Sequence, residues 1–246
     1  MTKSLLHRLI AGALTITMVL LPAFETQAAA ARIKDIVDIE GVRENQLVGY
    51  GLVVGLNGTG DSLNNSPFTK QSLQSMLERL GVNTAGENVR TANVAAVMVT
   101  ANLPPFATQG SRMDVSVAAL GDADSLQGGT LLVTPLLGAD GEVYAIAQGP
   151  VAINGFKAEG DAATIISGVP TTGRISSGAL IEREIDFRLG SQTSLRLALR
   201  NPDLTTARRI ALSINDFIGV PTATPEDPAT VRLNLPYGFN GNIVDL

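Results

Sequence analysis

Three carboxylates recur at every second position of the segment IEREIDFR, residues 181–188, namely Glu182, Glu184 and Asp186. Side chains two residues apart on a β-strand share a face, so this alternation predicts a strand with one charged face. Most glycoside hydrolases use two carboxylates about 5–10 Å apart. Because arginines lie among these carboxylates, we favour a solvated strand edge. A carboxylate-based glycan hydrolase stays open as the alternative.

Metal and nucleophile chemistry has few candidates in this sequence. Asp122 and Asp124 in LGDADSLQGG offer oxygen ligands of the kind that Ca²⁺ uses, but too few further oxygens follow at suitable spacing, so a turn is favoured. The only histidine is His7, and there is no cysteine. After His7 the sequence therefore excludes Ser-His and Cys-His catalysis, His/Cys metal sites and disulfides. We predict no catalytic residue, no metal site and no cofactor.

Residues 49–61, GYGLVVGLNGTGD, contain five glycines and approach two nucleotide-binding patterns. A dinucleotide fingerprint places its glycines where a strand meets a helix, but the next predicted helix begins only near Pro67. A P-loop needs Gly-Lys-Ser/Thr, whereas here Asp61 follows Gly60 and would repel phosphate. We therefore predict a strand whose glycines allow close backbone packing, closed by a tight turn at Asn57-Gly58.

The first 30 residues have the layout of a secretory signal. Lys3 and Arg8 lie in a basic start, residues 9–21 are apolar, and small residues 28–31 supply a cleavage site. A membrane anchor is disfavoured because spanning takes about 20 apolar residues. We predict that residues 1–30 are a cleaved signal peptide and that the mature chain is exported.

The charged residues argue against a nucleic-acid partner. The formal net charge is −5, and the basic residues are scattered, whereas a nucleic-acid-binding face needs clustered positive charge. Lys70 and Arg90 are isolated basic residues in the first half of the chain. Solvated surface is the favoured interpretation for both, and contact with an acidic partner is the sharper hypothesis.

Two amphipathic helices stand between strand patterns. Leu73, Met76, Leu77 and Leu80 recur at helical spacing over residues 66–80, with Ser66 as a candidate cap. A second helix follows Asp203 and ends at Gly219. Strand patterns cover residues 46–56, 93–103, 113–120, 129–137, 143–148, 195–199 and 231–235, and residues 32–40 form a short strand or an extended lead-in.

These elements predict an α+β fold with strand-rich mixed sheets and the two helices in β-α-β units. We expect a first α+β domain over residues 31–150 and a second β-α-β domain over residues 174–246. The Gly-, Ala- and Thr-rich residues 151–173 between them read as a loop or linker.

The sequence resembles one known family, the bacterial flagellar P-ring proteins, over essentially the whole mature chain. Five blocks carry the resemblance, in this order: RIKDIVDIEGVRENQLVGYGLVVGLNGTGD (32–61), PFTKQSLQSML (67–77), NVAAVMVTANLPPFATQG (93–110), LQGGTLLVTPLLGADGEVYAIAQG (126–149) and GRISSGALIERE (173–184).

The resemblance implies a structural subunit rather than an enzyme. Such proteins are exported to the periplasm and polymerise into a ring around the flagellar rod, at the peptidoglycan layer beneath the L ring. The ring acts as a bushing that supports rotation and protects the motor from shear. Expected partners are further copies of the chain, the rod, the L-ring protein and peptidoglycan, with no small-molecule substrate. Lys70 and Arg90 would then face the rod.

Two points qualify this expectation. Members of the family are longer, so we expect this sequence to lack their C-terminal part. The alternative function is a periplasmic cell-wall-binding module on the same fold, or a carboxylate-based glycan hydrolase if the module is an enzyme.

Overall fold

The computed structural model describes residues 31–82, 91–160 and 163–246. Within these ranges the α-helices are α1 (Ile33–Ile36), α2 (Pro67–Arg79) and α3 (Leu204–Ile218). None of them is long and apolar enough to cross a membrane. The predicted signal peptide, residues 1–30, lies outside the described residues.

Pro67, Asp203 and Gly219 mark the ends of the two longer helices as the sequence predicts, whereas Ser66 makes no side-chain cap at α2. Pro67 opens α2, where its missing N–H has no helical partner to lose. The side chain of Asp203 accepts a hydrogen bond from the backbone N–H of Thr206 at 2.7 Å and so caps α3. Gly219 ends α3 with φ +82°, in the left-handed region that favours glycine.

Most of the remaining described residues are in strands. In chain order they are β1 (Val37–Ile39), β2 (Asn45–Val54), β3 (Val94–Leu103), β4 (Arg112–Ala119), β5 (Thr130–Leu137), β6 (Val143–Pro150), β7 (Ala152–Gly160), β8 (Ala163–Ile181), β9 (Ser194–Leu199), β10 (Ala223–Pro225) and β11 (Thr230–Asn234). A short 3₁₀ turn covers Leu189–Ser191.

The larger sheet closes on itself. Its strand order is β4-β3-β2-β5-β6-β8-β7, and β8 also pairs with β4. That further ladder joins residues 112–118 of β4 to residues 172–180 of β8. Six strands therefore form a closed barrel, and β7 continues as a hairpin with β8. Closure pairs backbone groups that an open sheet would leave at its edges.

The barrel is filled by aliphatic side chains from alternate strand positions. Val53, Val97, Val115, Leu131 and Ile181 belong to one buried cluster and are at most 1% exposed. On β4 exposed and buried residues alternate without a break from Arg112 to Val117. Aliphatic burial of this kind supplies the main favourable free energy of folding.

The smaller sheet has the order β1-β9-β11-β10 and is covered on one side by α3. Ala207, Ile210 and Ala211 of α3 share a buried cluster with Leu197 and Val231 of the sheet.

The opposite side of the smaller sheet is ionic. There Nη2 of Arg200 lies 2.7 Å from Oδ1 of Asp38, and Nη2 of Arg196 lies 2.9 Å from Oε2 of Glu226.

The expected linker at residues 151–173 is wrong. Residues 152–160 form β7 and residues 163–173 form much of β8, and the two strands pair with each other from Ala152↔Arg174 to Gly160↔Ala163. The segment lacks a regular apolar alternation, and its strand structure depends on neighbours distant in sequence, such as β4.

The expected strand over residues 181–188 is also wrong beyond its first residue. β8 ends at Ile181, and the backbone N–H groups of Glu182 and Arg183 both donate to the carbonyl oxygen of Tyr144, at 2.8 and 3.1 Å. This shared acceptor ends the ladder with β6. The alternation of residue types is real, but no strand in the described chain pairs with residues 182–188.

The α+β class is confirmed, with antiparallel rather than mixed pairing in the described ladders. α2 connects β2 to β3, but these two strands are antiparallel neighbours, with Asn45 opposite Leu103. In the second unit, β11 lies between β9 and β10. The β-α-β order therefore holds along the chain, but among the described residues it forms no parallel pair of adjacent strands.

The larger sheet is built from consecutive strands, β2 to β8, whereas the smaller sheet combines β1 with β9, β10 and β11. β1 belongs to the smaller sheet through its pairing with β9, whereas β8 carries the larger sheet as far as Ile181. The division into domains at residues 31–150 and 174–246 stays a prediction.

Candidate partner-binding surface

The position of α2 is fixed by a buried carboxylate just before it. Asp61 is fully buried. Its Oδ2 accepts hydrogen bonds from Thr69 Oγ1 at 2.6 Å and from the backbone N–H of Ala96 at 2.8 Å, and its Oδ1 accepts one from the N–H of Ala123 at 3.0 Å. Gly121 packs so closely on this carboxylate that a Cβ there would collide with it. Asp61 thus ties α2 to β3 and to the β4–β5 loop.

In the sequence, Asp61 stands out only as an acid that would repel phosphate. Its backbone donors lie 35 and 62 residues away. No local sequence pattern predicts hydrogen bonds to such distant partners. The role of Asp61 in positioning the candidate surface therefore could not be predicted from the residues around it.

Asp122, in the β4–β5 loop, is hydrogen-bonded to the segment that connects β2 to α2. It accepts hydrogen bonds from the N–H of Ser62 at 2.8 Å, from Asn65 Nδ2 at 3.2 Å and from Ser66 Oγ at 3.1 Å. The Ser62 bond is the main reason that the pKa of Asp122 lies below its ordinary value. Ser66 therefore uses its hydroxyl on Asp122 and does not cap α2.

The buried side of α2 lies on β2 and β3. Leu73 shares a buried cluster with Leu52, Val94 and Ala96, and Leu77 packs against that cluster. The hydroxyls of Tyr50 and Ser72 lie 2.9 Å apart and add a polar contact at the edge of this packing.

Lys70 is half-buried, at the border of the apolar side of α2. It follows Thr69, which the Asp61 bond holds in place, and it precedes Leu77 by about two helical turns, so the two side chains lie on nearly the same side. The side chain of Lys70 makes no ion pair or hydrogen bond within the described part of the chain. Its ammonium group is therefore available to an external partner. Arg90, the second predicted contact residue, lies outside the described residues.

The glycines of β2 allow close packing, which confirms that prediction. Between Val48 and Val53 the ladder with β5 shifts register. A Cβ on Gly49 would collide with the carbonyl oxygen of Pro135, and a Cβ on Gly51 would collide with Thr134. The glycines thus serve the barrel wall.

The structure separates Glu182 from the other two candidate acids, Glu184 and Asp186, which line one surface pocket. Glu182 lines a surface pocket with Arg112 and Gln148, whereas Glu184 lines a different one with Phe106. Oε1 of Glu184 accepts a hydrogen bond from the N–H of Gln109 at 2.8 Å. Glu182 and Glu184 therefore do not converge on a common substrate position.

The acids of the β4–β5 loop serve the fold as well. Asp122 is occupied by its three donors, and the N–H of Asp124 donates to the carbonyl oxygen of Thr59 at 2.9 Å. Among the described residues no three or more Asp, Glu, His or Cys side chains are grouped so as to hold a metal ion.

Comparison with known protein families shows which family the chain belongs to. The family model described as flagellar P-ring protein matches residues 32–246. The chain belongs to the flagellar P-ring protein family. The match includes both sheets, α2 and α3, and so covers all described elements.

Several curated relatives are closely similar. A flagellar P-ring protein of Bradyrhizobium sp. is 71% identical over 216 residues, which cover 88% of this chain and 58% of the relative. That of Nitrobacter hamburgensis is 64% identical over 241 residues, or 98% of this chain and 64% of the relative. The chain thus spans about three fifths of the length of these P-ring relatives.

Proposed function

We propose that this chain is a structural subunit of the periplasmic P ring of the flagellar basal body. The family match over residues 32–246 carries this proposal. In the proposed role, copies of the chain surround the rod as a bushing that supports rotation and protects the motor from shear. The proposed partners are further copies of the chain, the rod, the L-ring protein and peptidoglycan.

The architecture suits a passive bearing. A closed barrel has few free backbone groups, and its aliphatic core resists deformation because protein interiors are close-packed. Glu182 and Glu184, the two candidate catalytic carboxylates, line different surface pockets. We therefore propose a non-enzymatic role, with export to the periplasm by a cleaved signal at residues 1–30.

Lys70 and Arg90 are the proposed contacts to the rod. Lys70 supports this role because Asp61 and Thr69 fix the first turn of α2, while the Lys70 ammonium has no acidic partner in the described chain. A positioned but unpaired cation favours an acidic surface opposite it. The single charge of Lys70 also suits a surface that must attract the rod without binding it tightly, because an exposed ion pair contributes little binding free energy.

Deletion of the gene for this chain tests the structural role. We expect loss of swimming and loss of the P ring from purified basal bodies seen by electron microscopy. Normal rings in the deletion strain would contradict the proposal. Release of soluble fragments from peptidoglycan by the purified chain, abolished by Glu182→Gln, would instead establish the hydrolase.

Charge reversal tests the rod contact. Lys70→Glu combined with Arg90→Glu should reduce swimming speed and ring yield, because two attractive charges become repulsive. Lys34→Glu is the matched control, since Lys34 is exposed on α1, far along the chain from α2. Unchanged motility and ring yield in the double variant would exclude these residues as rod contacts.

A further inference from the structure

The barrel and the smaller sheet are joined by two chain connections. Residues 40–44 lead from β1 of the smaller sheet to β2 of the barrel, and residues 182–193 lead from β8 of the barrel to β9. The two sheets share no strand, and their main buried clusters share no residue. Contacts made by the two connections are therefore well placed to set the orientation of one sheet relative to the other.

The second connection is attached to the barrel through its first six residues. Ile185 packs against the buried cluster of the barrel. Two residues later, the ring of Phe187 lies beside that of Phe106 in the β3–β4 loop, with 5.9 Å between the ring centroids. Aromatic pairs at this separation attract each other, so Phe187 is held on the barrel side.

Phe187 also contacts the first connection, at Gly41. The N–H of Glu40 donates to the carbonyl oxygen of Arg196 at 2.9 Å and so continues the pairing of β1 with β9. Gly41 is thus the first residue beyond the smaller sheet. It has φ +86°, and a Cβ there would collide with the ring of Phe187. The missing side chain lets the ring lie directly against the backbone.

The backbone of Phe106 is strained where it makes this contact. Its φ is +60°, in a region that bulky residues rarely occupy and that costs conformational free energy. Phe106 is 53% exposed, so burial of its own side chain does not account for the strain. The aromatic contact with Phe187 supplies a reason for it. We call the packing of Phe187 against Gly41 and Phe106 the Phe187 contact.

The Phe187 contact has room to open. Phe187 is only half-buried, and a surface pocket of about 320 Å³ is lined by both rings. A half-buried ring beside open space leaves its position without exposing a core, as in local opening reactions of native proteins.

We propose that residues 40–44 and 188–193 form a hinge between the barrel and the smaller sheet, and that the Phe187 contact holds this hinge in one position. With the ring of Phe187 displaced, the two connections allow the smaller sheet to turn, as loop residues do in hinge motions. Phe187 is therefore a positioning residue. In a symmetric ring, one fixed orientation would let every copy present the same surfaces.

Two spin labels on the purified full chain measure this orientation, because the natural sequence has no cysteine. Thr100→Cys places one label on β3 of the barrel, and Thr205→Cys places the other on α3. Both positions are exposed. Pulsed electron paramagnetic resonance should give one narrow distance distribution, and Phe187→Ala should broaden it. Phe68→Ala is the control, since Phe68 is 40% exposed on α2, outside both connections, and should leave the distribution unchanged.

Gly41→Ala tests the same contact from the other connection. Its methyl group should displace the ring of Phe187 and broaden the distribution as Phe187→Ala does. Gly238→Ala is the matched control, because Gly238 has a similar φ of +84° but no atom within 4 Å of an added Cβ. In a chain that already carries Phe187→Ala, Gly41→Ala should add little, since the ring that it displaces is gone.

Trypsin provides a second measurement at the hinge itself. Arg188 is exposed and directly follows Phe187. Phe187→Ala should speed cleavage after Arg188 roughly two- to tenfold, because loss of an aromatic contact raises the population of the open form. Phe68→Ala should leave this rate unchanged.

Several outcomes would overturn the hinge. These are a broad distance distribution in the labelled chain without further changes, an unchanged distribution in both Phe187→Ala and Gly41→Ala, or loss of the folded circular dichroism spectrum with Phe187→Ala. Full addition of the two effects in the combined variant would show that Gly41 and Phe187 act separately and would overturn the contact. All of these measurements use the purified chain, so their outcome is independent of whether the chain is found in basal-body rings.

Discussion

One buried carboxylate joins three separate parts of this chain. Asp61 reaches α2 through Thr69, β3 through Ala96 and the β4–β5 loop through Ala123. A buried carboxylate is costly unless its oxygens are paired, and here both oxygens accept hydrogen bonds. Asp61 is therefore a structural residue whose loss would leave several buried donors without partners.

Asp61→Asn should destabilise the fold by about 1–3 kcal/mol, because its amide group would turn an N–H toward a backbone N–H that now donates to a carboxylate. Chemical denaturation monitored by circular dichroism measures the change. Asp216→Asn is the control, since Asp216 is exposed and should shift the free energy of unfolding very little. An equal effect of the two substitutions would contradict the role given to Asp61.

The glycines of β2 make a second residue-level prediction. Gly49→Ala and Gly51→Ala should each cost about 1–3 kcal/mol of stability, because the new methyl group collides with β5 in a closed barrel that has little room to move. Gly190→Ala is the matched control, because a Cβ there meets nothing closer than 3.9 Å. Thermal unfolding should therefore show a lower melting temperature for Gly49→Ala and Gly51→Ala, and an almost unchanged melting temperature for Gly190→Ala.

Among the elements, those defined by local periodicity were predictable. α2 and α3 follow from apolar residues at helical spacing and from Pro67, Asp203 and Gly219 at their ends. β9 and β11 follow from simple alternation. In each case the information lies within the element itself.

Elements that depend on distant partners were not predictable in this way. Residues 163–173 of β8 look like part of a linker, yet they pair with β7 and, at Thr172 and Gly173, with β4. Residues 182–188 look like a strand, yet the described chain offers them no partner strand. Alternation indicates which face a strand would bury, but pairing requires a neighbour.

The capping of α3 is testable at the scale of the helix. Asp203→Ala should destabilise the protein by about 1 kcal/mol, because the N–H of Thr206 loses its acceptor at the first turn. The pKa of Asp203 lies below its ordinary value, chiefly through hydrogen bonds from Thr206, so the cap is an ionised carboxylate. Urea titration measures the loss, and Thr205→Ala serves as the comparison, since Thr205 is exposed and makes no side-chain hydrogen bond in the described structure.

Across the whole molecule, carboxylates with lowered pKa values set the response to acid. The pKa of Asp38 lies below 3.8 because Arg200 donates hydrogen bonds to it. The pKa of Asp114 is lowered mainly by the N–H of Ser177, and then by Arg174. A carboxyl group whose pKa is lower in the folded state stabilises the fold above its unfolded pKa, and this contribution is lost as pH falls through the folded value.

We therefore expect the melting temperature to stay nearly constant between about pH 5 and 8, because no histidine follows His7. It should fall once the pH drops below 3.8, where these carboxylates take up protons. Calorimetry across this range measures the profile, and Asp38→Asn should make the acid-induced fall shallower. A clear transition near neutral pH would contradict this expectation.

The pairing of β1 with β9 also governs the order of folding. Val37 lies opposite Leu199, so these paired residues are 162 positions apart along the chain. When the N-terminal end of the chain emerges first, β1 appears long before its partner strand β9. The barrel strands β2 to β8 can meet during that interval, whereas the smaller sheet must wait until β9 has appeared. Contacts of such long range form late and slowly, so β1 is the first strand to emerge and among the last to be protected from proteases.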